Sequence, residues 1–212
     1  MHLEVEIHED KQLLNSLSNI TMLGYPSHHN TTRVSHTLHR SNGLPSIQFS
    51  SREIDILSDQ RAWLNDVCIN GSAALLQNFF SAPTAPSFVH SHRCAILSTF
   101  VLVNIRKNAA NDALWDLVKT TQYWSKDVWI LPIHRKQPLH WVLCCISCRT
   151  HEIFLFDSLA ERQPWVDDIQ YIITMIERLV LLANMRGYRL HLILEDWVAR
   201  PLLVRVRCPH LC

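Results

Sequence analysis

A histidine and an aspartate mark one end of the most informative stretch of this chain, "QPLHWVLCCISCRTHEIFLFDSL", residues 137–159. His140 opens one apolar run and Asp157 closes the next. A tight turn over Cys148 to His151 makes the two runs a hairpin in which Ser147 faces Glu152 and Asp157 faces Val142. Side chains alternate along a strand. In that register His140, Val142, Cys144, Ile146, Ile153, Leu155 and Asp157 share one face. His140 and Asp157 are then diagonal neighbours at about 7–8 Å between backbones, within side-chain reach. A slip of one residue would part them.

The other face carries Trp141, Leu143, Cys145, Phe154 and Phe156, so both faces read as apolar and the hairpin as covered. A buried aspartate needs a partner. A carboxylate beside an imidazole orients it and fixes its tautomer, which is two thirds of a nucleophile–base–acid triad. The same pair also serves as a plain structural contact, and the hairpin alone does not separate the two uses.

The rest of the chain bounds the chemistry. Its 212 residues suffice for one domain with a real core, and 48% hydrophobic residues suit a folded protein. A net charge of +1 argues against nucleic acid or an anionic membrane as the main partner. No apolar run spans a bilayer: the densest, "IITMIERLVLLA", is broken by Glu177 and Arg178. The N-terminus has no secretory pattern, and seven cysteines then suggest free thiols in an intracellular, reducing setting, nucleus or cytoplasm. Most read as core filler. Cys145 and Cys148 form a C-x-x-C with His151 nearby, but at a strand end and a turn this spacing favours no metal, and no cofactor is expected.

The elements that would position the pair follow from periodicity. Residues 1–51, with "NTTRVSHTLHRSNGLPS", read as a flexible extension that need not pack. "WLNDVCINGSAALLQNFF" reads as a helix capped by Asn65 or Asp66, with Ile69, Ala73, Leu76 and Phe80 on one face and Gly71 a weak point inside it. "CAILSTFVLV" fits strand or helix. "NDALWDLVKTTQYW" reads as a helix capped by Asn111, and "DVWILPI" as a short strand ended by Pro132. The clearest helix follows Pro164 and stops at Gly187, with Ile169, Ile172, Ile173, Ile176, Leu179, Val180 and Ala183 as its stripe. "YRLHLILEDWVARPLLV" finishes as strand and loop. Helices and strands mix without repeats, so the class is α+β.

Four short motifs in order, "WLND" with "IN" close behind, then "WILPI", "HW" and "DSL", resemble the ubiquitin-like-specific (SUMO/sentrin-specific) cysteine protease family over about Arg52 to Arg205. The resemblance implies a papain-like α+β fold with an incomplete protease domain at 52–205. It implies His140 as general base, Asp157 as orienting acid, and Trp63 with Trp141 around the Gly-Gly tail of SUMO or a related modifier. Asp66 would meet a basic residue of that modifier. A slot between two indoles admits glycine and excludes side chains.

The family's nucleophile follows a glutamine within a Gln…Asp-Cys-Gly segment, where a helix N-terminus activates the thiol. Here the chain reads "VRCPHLC". Cys208 stands near that place with Leu202 six residues before it and Pro209 after it, and four residues remain, too few for an activating helix. Residues 206–212 therefore read as an aberrant tail, of the kind translation past an intron donor produces. The 212 residues are expected to be inactive, with the His140 face stripped of its cover and open to solvent. The alternatives are a catalytically dead module that binds a modifier and a truncated product without function.

Overall fold

The structure is a computed structural model and describes residues 36–38, 47–81, 93–136, 139–157, 159, 165–190, 192 and 195–202. Its centre is a five-stranded mixed sheet in the order β3-β4-β5-β6-β7. These strands are β3 (Cys94–Ile96), β4 (Val128–Lys136), β5 (Leu139–Ser147), β6 (Glu152–Phe156) and β7 (Val198–Leu202). The three central strands run antiparallel, and the outer pairs, β3 with β4 and β6 with β7, are parallel. Parallel neighbours need a crossover. Helices α3 (Phe100–Arg106) and α4 (Asn111–Val118) make the first, and α5 (Trp165–Met185) makes the second.

All three helices feed one core. Their Val101, Leu102, Ile105, Leu114, Val118, Ile172, Ile176 and Leu179 pack with Trp129, Leu131, Ile133, Val142, Cys144, Ile146, Ile153 and Leu155 of the sheet. Tyr123 joins them, its hydroxyl donating to the Leu179 carbonyl at 2.7 Å. Burial pushes that phenol well above its usual range. Helix α5 follows the expected stripe, although Ile173 is only partly buried. Gly187 ends it at φ 83°, a left-handed conformation that spares a β-carbon, and the Tyr188 N–H closes back on the Ala183 carbonyl at 2.9 Å. No helix among the described residues is long and apolar enough to cross a membrane.

Several local expectations change. "CAILSTFVLV" is both things, a short strand and then a helix. Asn111 opens α4 without capping it. The N-cap is Ala110, and the Asn111 side chain accepts from Arg178 instead. Pro132 does not end β4, which runs on to Lys136. Beside Pro132 the neighbour β3 has already left, since its pairing stops at Ile96 with Ile130, so no ladder bond is lost there. That extension carries His134 and Arg135 into the hairpin's neighbourhood.

The second face of the sheet meets α2 (Asp66–Ser81), preceded by α1 (Ser51–Ser58) and a two-stranded ribbon, β1 (His36–Leu38) with β2 (Ile47–Phe49). The ribbon lies within the segment expected not to pack, yet Phe49 is buried. Residues 1–35 and 39–46 lie outside the described residues. Gly71 explains the contact: a β-carbon there would overlap the Phe49 ring. The stripe Ile69, Ala73 and Leu76 does not enter the core. It lines an apolar cleft, while Cys68, Asn70, Ala74 and Gln77 form the buried side of α2. Phe80 lies where side chains are not described.

Gly71→Ala should lower stability by up to about 2 kcal/mol despite its better helix propensity, because overpacking against Phe49, about 1–3 kcal/mol, outweighs the ~1 kcal/mol gained. Urea unfolding of the two forms measures the sign directly.

Candidate active site

The hairpin forms in the expected register. Ser147 pairs with Glu152, Cys144 with Leu155 and Leu143 with Phe156. The turn places His151 at φ 55°, and Ser147 Oγ accepts from the Thr150 hydroxyl at 2.8 Å. One face, His140 through Asp157, is wholly buried. His140 Nε2 meets Asp157 Oδ1 at 3.0 Å. With Nε2–H donated to the carboxylate, the neutral ring carries its lone pair on Nδ1.

Two expectations about cover are reversed. His140 is 6% exposed and Asp157 is 0% exposed, so the pair is not open to solvent. Its cover comes from β4 and the start of α5. Arg135 Nη1 donates to Asp157 Oδ2 at 2.5 Å and Nε to Asp168 Oδ2 at 2.8 Å. Nη2 lies 2.7 Å from the same Asp168 oxygen but off its hydrogen-bonding axis, so that contact is ionic only. The Arg135 guanidinium lies over the Trp165 ring at 4.4 Å. Arg106 Nη2 holds the other Asp168 oxygen at 2.6 Å. Asp168 sits in the first turn of α5, where the helix dipole favours an anion. The Leu159 N–H adds 2.9 Å to Asp157 Oδ1.

The less covered face is the opposite one, where Trp141, Cys145, Phe154 and Phe156 are half-buried and Leu143 is 44% exposed. With Leu64, Ile69, Ala73, Leu76, Ile130 and Pro132 it lines a cleft of about 610 Å³ between α2 and the sheet.

Trp141 follows His140 and so points to the cleft side. Its indole N–H donates to the Leu64 carbonyl at 2.7 Å, which ties β5 to the loop before α2. Trp63, next in that loop, is 66% exposed and is no core residue. The loop's far side is also anchored. Asn65 Oδ1 caps α2 by accepting the Cys68 N–H at 2.8 Å, and its amide donates to Glu53 at 3.2 Å. Glu53 in turn accepts from Ser50, whose hydroxyl holds the carboxyl below its usual range. Asp66 begins α2 and is half-buried. His134 packs against Trp141 with ring centroids 4.8 Å apart and planes tilted by 51°, and burial lowers its pKa, aided by Lys136 and Arg106.

The described thiols are poor nucleophiles. Burial pushes Cys145 up to about 11 and Cys148 up to about 12, and raises Cys68, Cys94 and Cys144 as well. Among the described residues no three ligating side chains gather around a metal position, the C-x-x-C included. Cys208 and Cys212 lie outside the described residues.

A sequence profile of the Ulp1 protease family, C-terminal catalytic domain, matches residues 62–186, from the Trp63 loop through α5. The chain belongs to that family. Its members are cysteine proteases, and the His140–Asp157 pair lies inside the matched span.

Solved structures with the same fold include the C-terminal Ulp1 protease domain in complex with Smt3, the yeast orthologue of SUMO. It is 20% identical, with 81% of this chain and 68% of that one covered and a TM-score of 0.54. A de-sumoylating protease is 17% identical over 80% and 64%, at TM-score 0.59. The Ulp1-like SUMO protease catalytic domain of Chaetomium thermophilum is 15% identical over 93% and 71%, at 0.53. This chain thus spans roughly two thirds of their lengths. Among curated proteins, none matches.

Sequence reasoning brought His140, Asp157, Trp141 and the Trp63 loop together. It missed Arg135, Asp168, Arg106 and His134. The one usable signal is the basic "HRK" immediately before the hairpin, which a strand ending at Pro132 leaves outside the sheet.

Thiol accessibility tests the site's chemistry. At pH 8 a thiol with a pKa of about 11 is ionised to about one part in a thousand. Iodoacetamide mapping of the native protein should leave Cys145 and Cys148 unmodified, and denaturation should expose both. Rapid native labelling of either would contradict the buried geometry.

Proposed function

We propose that this domain recognises SUMO or a related ubiquitin-like modifier by its Gly-Gly terminus. The chemistry would be that of a cysteine-type peptidase acting after that terminus, in precursor processing or isopeptide release. The observation that carries this reading is the buried His140–Asp157 contact at 3.0 Å, on the strand whose next residue ties down the Trp63 loop. Trp63 and Trp141 flank the tail, and Asp66, at the start of α2, faces a basic residue of the modifier. The modifier's folded body stays outside, because a slot of this kind fits only residues without side chains.

The reaction runs by proton exchange with Nδ1 of His140. A cysteine thiol gives its proton to Nδ1, and the thiolate attacks the carbonyl carbon of the terminal glycine. The imidazolium returns the proton to the departing lysine or α-amine nitrogen as the C–N bond breaks. Water, deprotonated by the same nitrogen, then releases the thioester as a carboxylate and the free thiol. Asp157 accepts from Nε2–H throughout and keeps the ring oriented.

One observation favours a second reading for these 212 residues: every described cysteine whose thiol environment is resolved has its pKa raised by burial. Recognition without turnover is the expected behaviour of this chain.

Titration of a fluorescently labelled modifier, with a Gly-Gly-linked fluorogenic amide as substrate, separates the readings. Saturable binding without amide cleavage is expected, and Trp141→Ala should weaken it at least tenfold, about 1.4 kcal/mol. Absence of any binding overturns recognition. Cleavage that vanishes in Cys208→Ser would instead make Cys208 the nucleophile, and cleavage that persists would place the nucleophile at another thiol.

A further inference from the structure

The sheet sets three ionisable side chains next to one another. Arg135 on β4 is the register partner of His140 on β5, and such partners project to one face. An arginine and a protonated imidazole would repel there. Asp157 lies between them, one oxygen toward each. Arg135 also grips Asp168, and Asp168 is held by Arg106, the first group in this series with substantial access to solvent.

We propose that Arg135, held by Asp168 and Arg106, is the positioning residue of the His140–Asp157 pair. It holds the plane of the Asp157 carboxylate so that one oxygen stays directed at Nε2, which keeps the ring proton there and the lone pair on Nδ1. This rests on the catalytic reading of the pair and adds residues that reading does not use.

The terminal torsion of an aspartate is broad, so the carboxylate plane swings away from the ring unless both oxygens are engaged. Here His140 and the Leu159 N–H engage Oδ1. Arg135 Nη1 donates to Oδ2. The guanidinium is a rigid planar fork, so fixing Nε against Asp168 sets the direction of Nη1 toward Asp157. The Trp165 ring, 4.4 Å from the guanidinium carbon, adds a cation–π contact that helps hold it in place. A lysine at this place would neutralise the carboxylate as a point charge and could not transmit an orientation. Charge compensation and positioning therefore differ in what Arg135→Lys does.

The test reads the imidazole itself, in the whole chain without substrate. Nitrogen-15 NMR of the histidine rings reports the tautomer and the exchange of the ring proton. His140→Gln assigns the signal among the 13 histidines. The wild-type protein should show His140 as the Nε2–H tautomer with a slowly exchanging proton. In Arg135→Lys that proton should exchange about tenfold faster or more, with a mixed tautomer. Arg106→Gln, acting through Asp168 and the His134 carbonyl that Nη1 also meets at 3.4 Å, should produce the same change at smaller size.

A folded Arg135→Lys protein with unchanged ring signals overturns the proposal. If that variant does not fold, Asp168→Asn read in the same way decides it: faster exchange supports positioning, and an unchanged ring overturns it. If neither variant folds, the arginine serves the fold and the proposal falls. Loss of modifier binding would leave the ring signals as they are, so this inference and the proposed function fail separately.

Discussion

A fully buried carboxylate at the end of β6 constrains the rest of this molecule. Taking an ion out of water costs on the order of several kcal/mol even after relaxation. Asp157 meets that cost with His140, the Leu159 N–H and Arg135. Arg135 is itself buried and needs a second anion, which Asp168 supplies. Asp168 in turn needs Arg106, whose guanidinium is partly in water. Charges thus alternate from the core outward until solvent takes over. The partners lie on β4, β5, the end of β6, α5 and the end of α3, so a single electrostatic series sets the spacing of five elements.

That series also divides the sheet's two faces. The face carrying His140 and Asp157 is filled by α3, α4 and α5. The opposite face carries Trp141 and Leu143 beside an apolar cleft, with α2 across from them. Adjacent residues on β5 therefore do opposite jobs. His140 faces a closed, charge-balanced interior, and Trp141 reaches across to the Leu64 carbonyl to hold a loop from which Trp63 projects. Strand alternation places the proposed base and the proposed tail-binding indole one residue apart with no further device.

How much of this was legible in the sequence follows from the range of each interaction. The hairpin register could be read because alternation and a four-residue turn are local, and the two ends of that register carry His140 and Asp157. The α5 stripe was legible for the same reason. Arg135 was not, because Pro132 reads as a strand end unless one knows that β3 stops beside it, and that is a tertiary fact. Asp168 was not, because a first-turn aspartate normally serves its own helix dipole, and its partner here lies 33 residues away on β4. The cover of the His140 face was misassigned because the resemblance places the nucleophile helix over it, whereas α3, α4 and α5 fill that face. Asn111 shows the limit at short range: a good N-cap residue type gave its side chain to Arg178 instead.

The buried ion pairs pose a question of selection between stability and position. Removing one partner from such a pair is destabilising by about 3–5 kcal/mol, yet replacing a whole buried ionic cluster by well-packed apolar residues is often neutral or stabilising. Stability alone is therefore a weak reason to keep Arg135, Asp157, Asp168 and Arg106 together. Apolar side chains at those four places could fill the volume and hold the strands at the same spacing. They could not supply an acceptor to His140 Nε2, and they could not hold that acceptor by its second oxygen. The Trp165 ring under the guanidinium points the same way, since it adds contact to one orientation of the fork and to no other. What the cluster does that a hydrophobic plug would not is specify a direction, from the surface at Arg106 to the imidazole of His140.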